Sequence, residues 1–278
     1  QDWRGTMRKL VQRSGEPVIR KAVNQAMRVM GRQFVMGRKI EEALDRAKGN
    51  ESKGYRYSYD MLGEAARTMA DADRYFKAYS TAIEKIGKAA KGRGVIEAPG
   101  ISVKLSALHP RYEFGQEDRT LDELIPRLLD LCRKAKEYDI GLCIDAEECD
   151  RLDLSMEAIE AAATDPSLAG WNGLGLAVQA YQKRAYPFIK WLAAVAKKGQ
   201  RRMMVRLVKG AYWDTEVKRA QELGMSDYPV FTRKVSTDVS YLACARLLLT
   251  EQEAFYPCFA THNAHTLSAI AEMAGNRS

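Results

Sequence analysis

Between residues 17 and 48, apolar side chains recur at three- and four-residue steps. Val18, Ile19, Ala22, Val23, Ala26, Met27 and Met30 form one stripe, which predicts a helix whose stripe packs into a core. Pro17 suits the first turn of such a helix, and Lys48-Gly49-Asn50 is a stop signal. Beyond Gly54 the pattern changes, and short apolar runs alternate with longer amphipathic stretches. Strands are predicted at Tyr55–Leu62, Ile101–Leu105, Gly141–Asp145, Gly173–Val178, Met203–Val208 and Pro257–Ala260. Helices are predicted between and after them at Glu64–Ala90, Thr120–Tyr138, Met156–Ala163, Pro187–Lys198, Thr215–Leu223, Ser236–Thr250 and from Ala264 to Met273.

Six strand–helix units in succession imply a parallel sheet. The strands are nearly continuous apolar runs, as strands covered on both faces are. No Gly-x-Gly-x-x-Gly opens a helix and no Gly-Lys-Ser/Thr phosphate loop occurs, which disfavours the nucleotide-binding sheets built on those motifs. The fold class is therefore α/β, a (β/α)8-type barrel with six units visible at residues 51–278, preceded by a helical segment at 1–50.

Such barrels place their chemistry at the C-terminal ends of the strands. Polar groups fall there in every unit: Glu64 near the first strand, Lys104 and Ser106 at the second, and Asp145, Glu147 and Glu148 at the third. Gln179 ends the fourth, Arg206 and Lys209-Gly210 mark the fifth, and Thr261-His262-Asn263 follow the sixth. Lys104, Arg206 and Lys209 would bring positive charge near Asp145 and Glu64. Buried charges must pair or bind a ligand. Two readings follow: a salt-bridge network at the barrel mouth, such as Lys104 with Asp145, or a site for a zwitterion and an anionic cofactor. Gly210 would let backbone approach a ligand closely.

The composition narrows the remaining choices. With 278 residues, 46% hydrophobic and 29% charged, the chain is that of an ordinary globular protein. Its net charge of +8 is spread among interleaved acidic residues. The densest basic runs, Arg4 to Arg13 and Lys197 to Arg202, read as solvated surface or as attraction to acidic lipid or an anionic ligand. No basic module with aromatic stacking partners is evident, so no nucleic-acid partner is expected. Five cysteines without a Cys-x-x-Cys pair predict neither disulfides nor zinc and fit a cytoplasmic setting. No apolar run reaches the ~18 residues of a membrane span. His262 and His265 lack a third ligand nearby, so no metal is expected.

The strand ends also carry a family likeness. Tyr57-Ser-Tyr-Asp-Met-Leu-Gly-Glu-Ala-Ala66, Lys104-Leu-Ser-Ala-Leu-His-Pro-Arg-Tyr112, Asp145-Ala-Glu-Glu148, Gln179-Ala-Tyr-Gln182, Val205-Arg-Leu-Val-Lys-Gly-Ala-Tyr-Trp213 and Phe259-Ala-Thr-His-Asn-Ala-His265 resemble the proline dehydrogenase domains of bacterial proline utilization A flavoproteins. Arg13-Ser-Gly-Glu-Pro-Val-Ile-Arg-Lys21 resembles the segment before the barrel there. The resemblance covers essentially the whole chain. It implies a distorted barrel holding FAD noncovalently, with hydride transfer from C5 of L-proline to the flavin. The product would be Δ1-pyrroline-5-carboxylate, and the electrons would pass to a membrane quinone.

By motif position, the resemblance places Lys104, Asp145 and Tyr212 on the proline side, with Glu64 in the same wall ordering a substrate-binding Arg. Arg206 would sit by the isoalloxazine, and Ala146, Gln179, Val208, Lys209, Gly210, Ala211, Trp213, Thr261 and His262 would hold FAD. Asp145, Arg206 and Lys104 are the expected catalytic set. The family has two further strand–helix units, the last bearing a Tyr and an Arg-Arg pair that clamp the substrate carboxylate. No such pair follows the sixth strand here, so a shortened chain is expected. The family's aldehyde dehydrogenase module and DNA-binding arm are also expected to lie outside it. A cytoplasmic protein touching the inner face of the membrane peripherally is the implied setting. Two other classes stay open: a barrel aldolase using Lys104 or Lys209 as a Schiff-base amine, and a non-catalytic binding or membrane-docking module using the basic surface.

Overall fold

Six strands run parallel in the order β1 (Ser58–Asp60), β2 (Gly100–Val103), β3 (Leu142–Ile144), β4 (Leu174–Gln179), β5 (Met203–Val208) and β6 (Phe255–Phe259). Each neighbouring pair is parallel. An unbroken sequential order is the signature of a β/α barrel, since doubly wound sheets reverse direction part-way. These relations come from a computed structural model that describes residues 17, 19–27, 29–31 and 35–275. The chain divides into two compact units, residues 1–55 and 56–278.

In the first unit the helix expected over 17–48 is broken. Residues 19–27 are helical, residues 35–39 are not, and α1 (Ile40–Glu51) starts afresh and runs past Gly49. The predicted core stripe is also corrected. Ile19, Val23, Met27 and Met30 are exposed. Helical spacing identifies an apolar face but not what covers it. Val18 and the basic run from Arg4 to Arg13 lie outside the described residues.

In the second unit the strands are joined by α2 (Met69–Ala90), α3 (Glu117–Glu137), α4 (Leu152–Thr164), α5 (Ala185–Lys198), α6 (Trp213–Glu222) and α7 (Lys234–Thr250), with α8 (Ala264–Ala274) after β6. Helix α2 begins five residues later than its hydrophobic pattern suggests. Leu62 and Ala65 have φ of 48° and 52°, which a right-handed helix cannot contain. A reciprocal capping box between Thr68 and Asp71 then starts the helix. Strand β1 spans only Ser58–Asp60 and ends before Leu62 for the same reason, and β2 stops at Val103 because Leu105–Ala107 form a 3-10 turn.

Strand β5 shows how the sheet presents a site. Met203, Val205 and Leu207 are fully buried and face the helices. Met204, Arg206 and Val208 alternate with them and are only partly buried, facing the barrel interior. The register sets Ala177, Arg206 and Cys258 side by side across β4, β5 and β6. From outside, Tyr241 of α7 brings its hydroxyl to the carbonyls of Leu207 (3.1 Å) and Ala260 (3.2 Å), anchoring the ends of β5 and β6. Among the described residues, no helix is long and apolar enough to cross a membrane. The Lys197–Arg202 run is not a free basic patch: Lys198 pairs with Glu160, Arg201 is buried, and Arg202 donates to the Phe255 carbonyl.

Candidate active site

A cleft of about 670 Å³ opens at the C-terminal ends of the strands. That is the size of a small-molecule site. Its floor is a chain of alternating charges. Lys104 donates from Nζ to Asp60 at 2.9 Å and to Asp145 at 3.2 Å. Asp145 uses its other oxygen to pair with Arg206, and Arg206 also donates to the Ser102 hydroxyl at 3.1 Å. The side chains of Lys104 and Asp145 are 12% and 13% exposed, so this pairing is largely shielded from water. The salt-bridge network expected at the barrel mouth is thus present. Asp60, not Glu64, is the carboxylate that β1 delivers to it.

Burial disfavours the Lys104 ammonium, but Asp60 and Asp145 outweigh it and hold its pKa above the ordinary lysine value. Tyr212 lines the same end, and burial, aided by Glu64, pushes its hydroxyl up to about 12. At neutral pH the floor therefore presents a fixed ammonium and a neutral phenol. A Schiff-base lysine needs the opposite, a depressed pKa, so Lys104 is unsuited to the aldolase alternative.

The far end of the cleft differs in charge. Lys209 and Lys234 share one carboxylate, Asp238. Two cations against one anion leave an excess of positive charge beside Thr261, His262 and Asn263. A strand-end pattern does not point to Lys234, because it opens α7 and ends no strand. Ala146, Gln179, Val208, Gly210 and Ala211 complete the predicted lining, and Ala177, Ala260 and Asn263 join it. Two expected members stand outside that lining. Glu64 is exposed in the turn after β1. Trp213 is 42% exposed, and its ring N–H is taken by the Phe231 carbonyl at 3.0 Å.

Two of the lining residues are structural as well. Gln179 is 3% exposed; its amide nitrogen donates to the Glu147 carbonyl at 2.8 Å and its oxygen accepts from Ala211 N–H at 3.1 Å. Gly210 has φ of 146°, and a Cβ there would stand 2.5 Å from the Tyr181 ring. Gly210→Ala is therefore expected to cost about 2 kcal/mol or more, through strain and overlap together. Thermal unfolding of the purified variant checks this, and an unchanged midpoint would remove the steric constraint.

A family model described as proline dehydrogenase matches residues 43–278. The chain belongs to the proline dehydrogenase family. It is 58% identical over 270 residues to the bifunctional protein PutA of Klebsiella aerogenes, a match covering 97% of this chain and 21% of that protein. The chain thus spans about a fifth of the length of such relatives. Among solved structures, a mutant proline utilization A from Bradyrhizobium japonicum superposes with a TM-score of 0.84 at 56% identity, over 97% of this chain and 28% of that one. The proline utilization A of Bdellovibrio bacteriovorus, inactivated by N-propargylglycine, gives 0.86 at 28% identity, over 92% of this chain and 28% of that one.

One expectation is overturned. Residues 1–34 match a model described as the DNA-binding domain of proline dehydrogenase. This proline dehydrogenase-family chain therefore includes sequence of the arm expected to lie outside it. No basic–aromatic module announced that arm, and the match rests on the whole segment, most of which lies outside the described residues.

Proposed function

We propose that the chain oxidises L-proline to Δ1-pyrroline-5-carboxylate with FAD as cofactor, the first step of proline catabolism, and that the electrons pass to a membrane quinone. The observation that carries this reading is the ion-paired floor of Lys104, Asp145 and Arg206 lying in one cleft with the cationic Lys209–Lys234 end. A zwitterion suits the first and a pyrophosphate the second. The donor set fits the cofactor: Lys209, Lys234 and Arg206 are cations, and Thr261, His262 and Asn263 add polar groups along the same wall. The flavin, when bound, supplies the two-electron acceptor.

The chain's own residues position and polarise. Lys104 stays protonated, so it donates hydrogen bonds and accepts no proton from the substrate amine. Asp145 holds Lys104 and Arg206 in fixed places and adds negative charge where the substrate ammonium would lie. Tyr212, neutral at physiological pH, closes the proline side. Arg206 supplies a cation where reduction of the flavin would add negative charge. Ala146, Gln179, Val208, Gly210 and Ala211 shape the wall for the cofactor. In longer relatives' terms, an aldehyde dehydrogenase module on the same chain would receive the product. The setting is cytoplasmic with peripheral contact at the membrane's inner face.

The visible spectrum of the purified protein, before and after L-proline, tests this. Flavin absorbance that bleaches on adding proline is the expected result. Colourless protein that traps a carbonyl substrate under borohydride would replace the proposal with the aldolase alternative.

A further inference from the structure

A buried carboxylate outside the cleft joins its two walls. The helical run from Cys149 through α4 starts without a cap of its own: neither Glu148, before the 3-10 turn Cys149–Arg151, nor Arg151, before α4, makes a side-chain capping bond. Exposed N–H groups at a helix start need an acceptor. Here it comes from α6, where Glu216 accepts the Cys149 N–H at 2.7 Å. A carboxylate at that end is also favoured by the helix dipole. Glu216 is only 4% exposed. Arg184 and Arg219, which share its pocket, are engaged with Asp153 and Asp150. Burying a carboxylate is costly unless its acceptors are used, and the use it finds is this cap.

Its position gives the cap a consequence for the site. Glu216 N–H bonds the Tyr212 carbonyl at 2.9 Å, so the residue sits in the first turn of the helix that continues the 209–212 segment. Cys149 ends the loop that begins at Asp145. The same two segments are tied nearer the cleft by Gln179, through Glu147 and Ala211. We infer that Glu216 is a positioning residue of the active site, holding the Asp145–Glu148 loop against the Lys209–Tyr212 turn by capping the 149–164 run from α6. This rests on the proposed function for its catalytic consequence, but not for its geometry.

The test compares Glu216→Ala and Glu216→Gln with the parent, in the full chain with its cofactor, well below the unfolding temperature. Amide exchange over 145–151 and steady-state kcat and KM with L-proline are read on each. In Glu216→Ala, exchange at Cys149 should rise about tenfold and kcat/KM should fall about tenfold or more. Glu216→Gln keeps an acceptor in the same place and should bring both to within about threefold of the parent. If the Ala variant does not fold, Glu216→Asp, which draws the acceptor back by one methylene, should show the same pair of changes. A folded Ala or Asp variant with parental exchange and kcat/KM overturns the inference, and so does a Gln variant as impaired as Ala. Should the parent neither hold flavin nor oxidise proline, the functional proposal fails, and the exchange comparison alone decides the cap.

Discussion

Asp145→Ala is expected to lower kcat/KM for L-proline by about 10²- to 10³-fold, the range for removing one preorganised electrostatic partner. Asp145 is the shared anion of the cleft floor. Without it, Arg206 keeps only the Ser102 hydroxyl and Lys104 keeps only Asp60. Arg206 would then lack a carboxylate partner, and Lys104 would be drawn toward Asp60 and away from Arg206. Truncating one member of a largely buried pair also costs about 3 kcal/mol in stability, so activity must be measured well below the variant's unfolding midpoint. Asp145→Asn separates charge from shape: it keeps an acceptor and removes the negative charge. A loss in Asn close to that in Ala would assign the effect to charge.

The pH dependence carries a linked expectation. Lys104 has a folded pKa above its ordinary value of 10.5. Its ion-pair stabilisation is therefore fully present below about 10.5 and is lost only as pH rises through the raised folded value. Lys104 should set no limb of a rate profile measured between about pH 6 and 9. Activity of Asp145→Ala within threefold of the parent would remove Asp145 from the substrate wall.

The second large effect concerns Arg206→Met. On the proposed reading, a guanidinium beside the flavin favours its reduced, negatively charged form, and an apolar side chain of similar reach removes that preference. The reduction potential should fall by about 30–60 mV, where 30 mV corresponds to about 1.4 kcal/mol for a two-electron couple. Flavin retention on dilution should weaken in parallel. Asp145 keeps Lys104 as its partner in this variant, so the fold should persist. Spectroelectrochemical titration and flavin release are both read without turnover. Unchanged potential and unchanged retention would place Arg206 away from the cofactor.

Much of the barrel was legible because its strands are short, nearly continuous apolar runs. Strand β5 was predicted to the residue, since Met203 to Val208 is apolar but for Arg206 and is bounded by polar positions. The first unit was legible in type but not in its break or its exposure, because the stripe from Ile19 to Met30 specifies a face and not a partner. Around β1, propensity failed where backbone conformation intervened: Leu62 and Ala65 adopt positive φ without being glycine, and nothing in their side chains announces it.

The site divides along the same line. Sequence alone determined which residues reach the rim, because a strand's last residues must project there once the six units are recognised. Lys104, Asp145, Gln179, Arg206, Lys209 and Gly210 follow from that count, whereas Ala211 and Tyr212 were expected only from the family resemblance. Only the tertiary structure decided who meets whom. Strand order and register put Asp145 between Lys104 and Arg206, and the turn after β1 left Asp60 rather than Glu64 as the second carboxylate. Lys234 and Glu216 enter from helices, and the groups they join to the site, Lys209 and Cys149, lie 25 and 67 residues away along the chain. Local periodicity can locate an apolar face or a strand end, but a contact across the barrel mouth depends on how separate elements are packed.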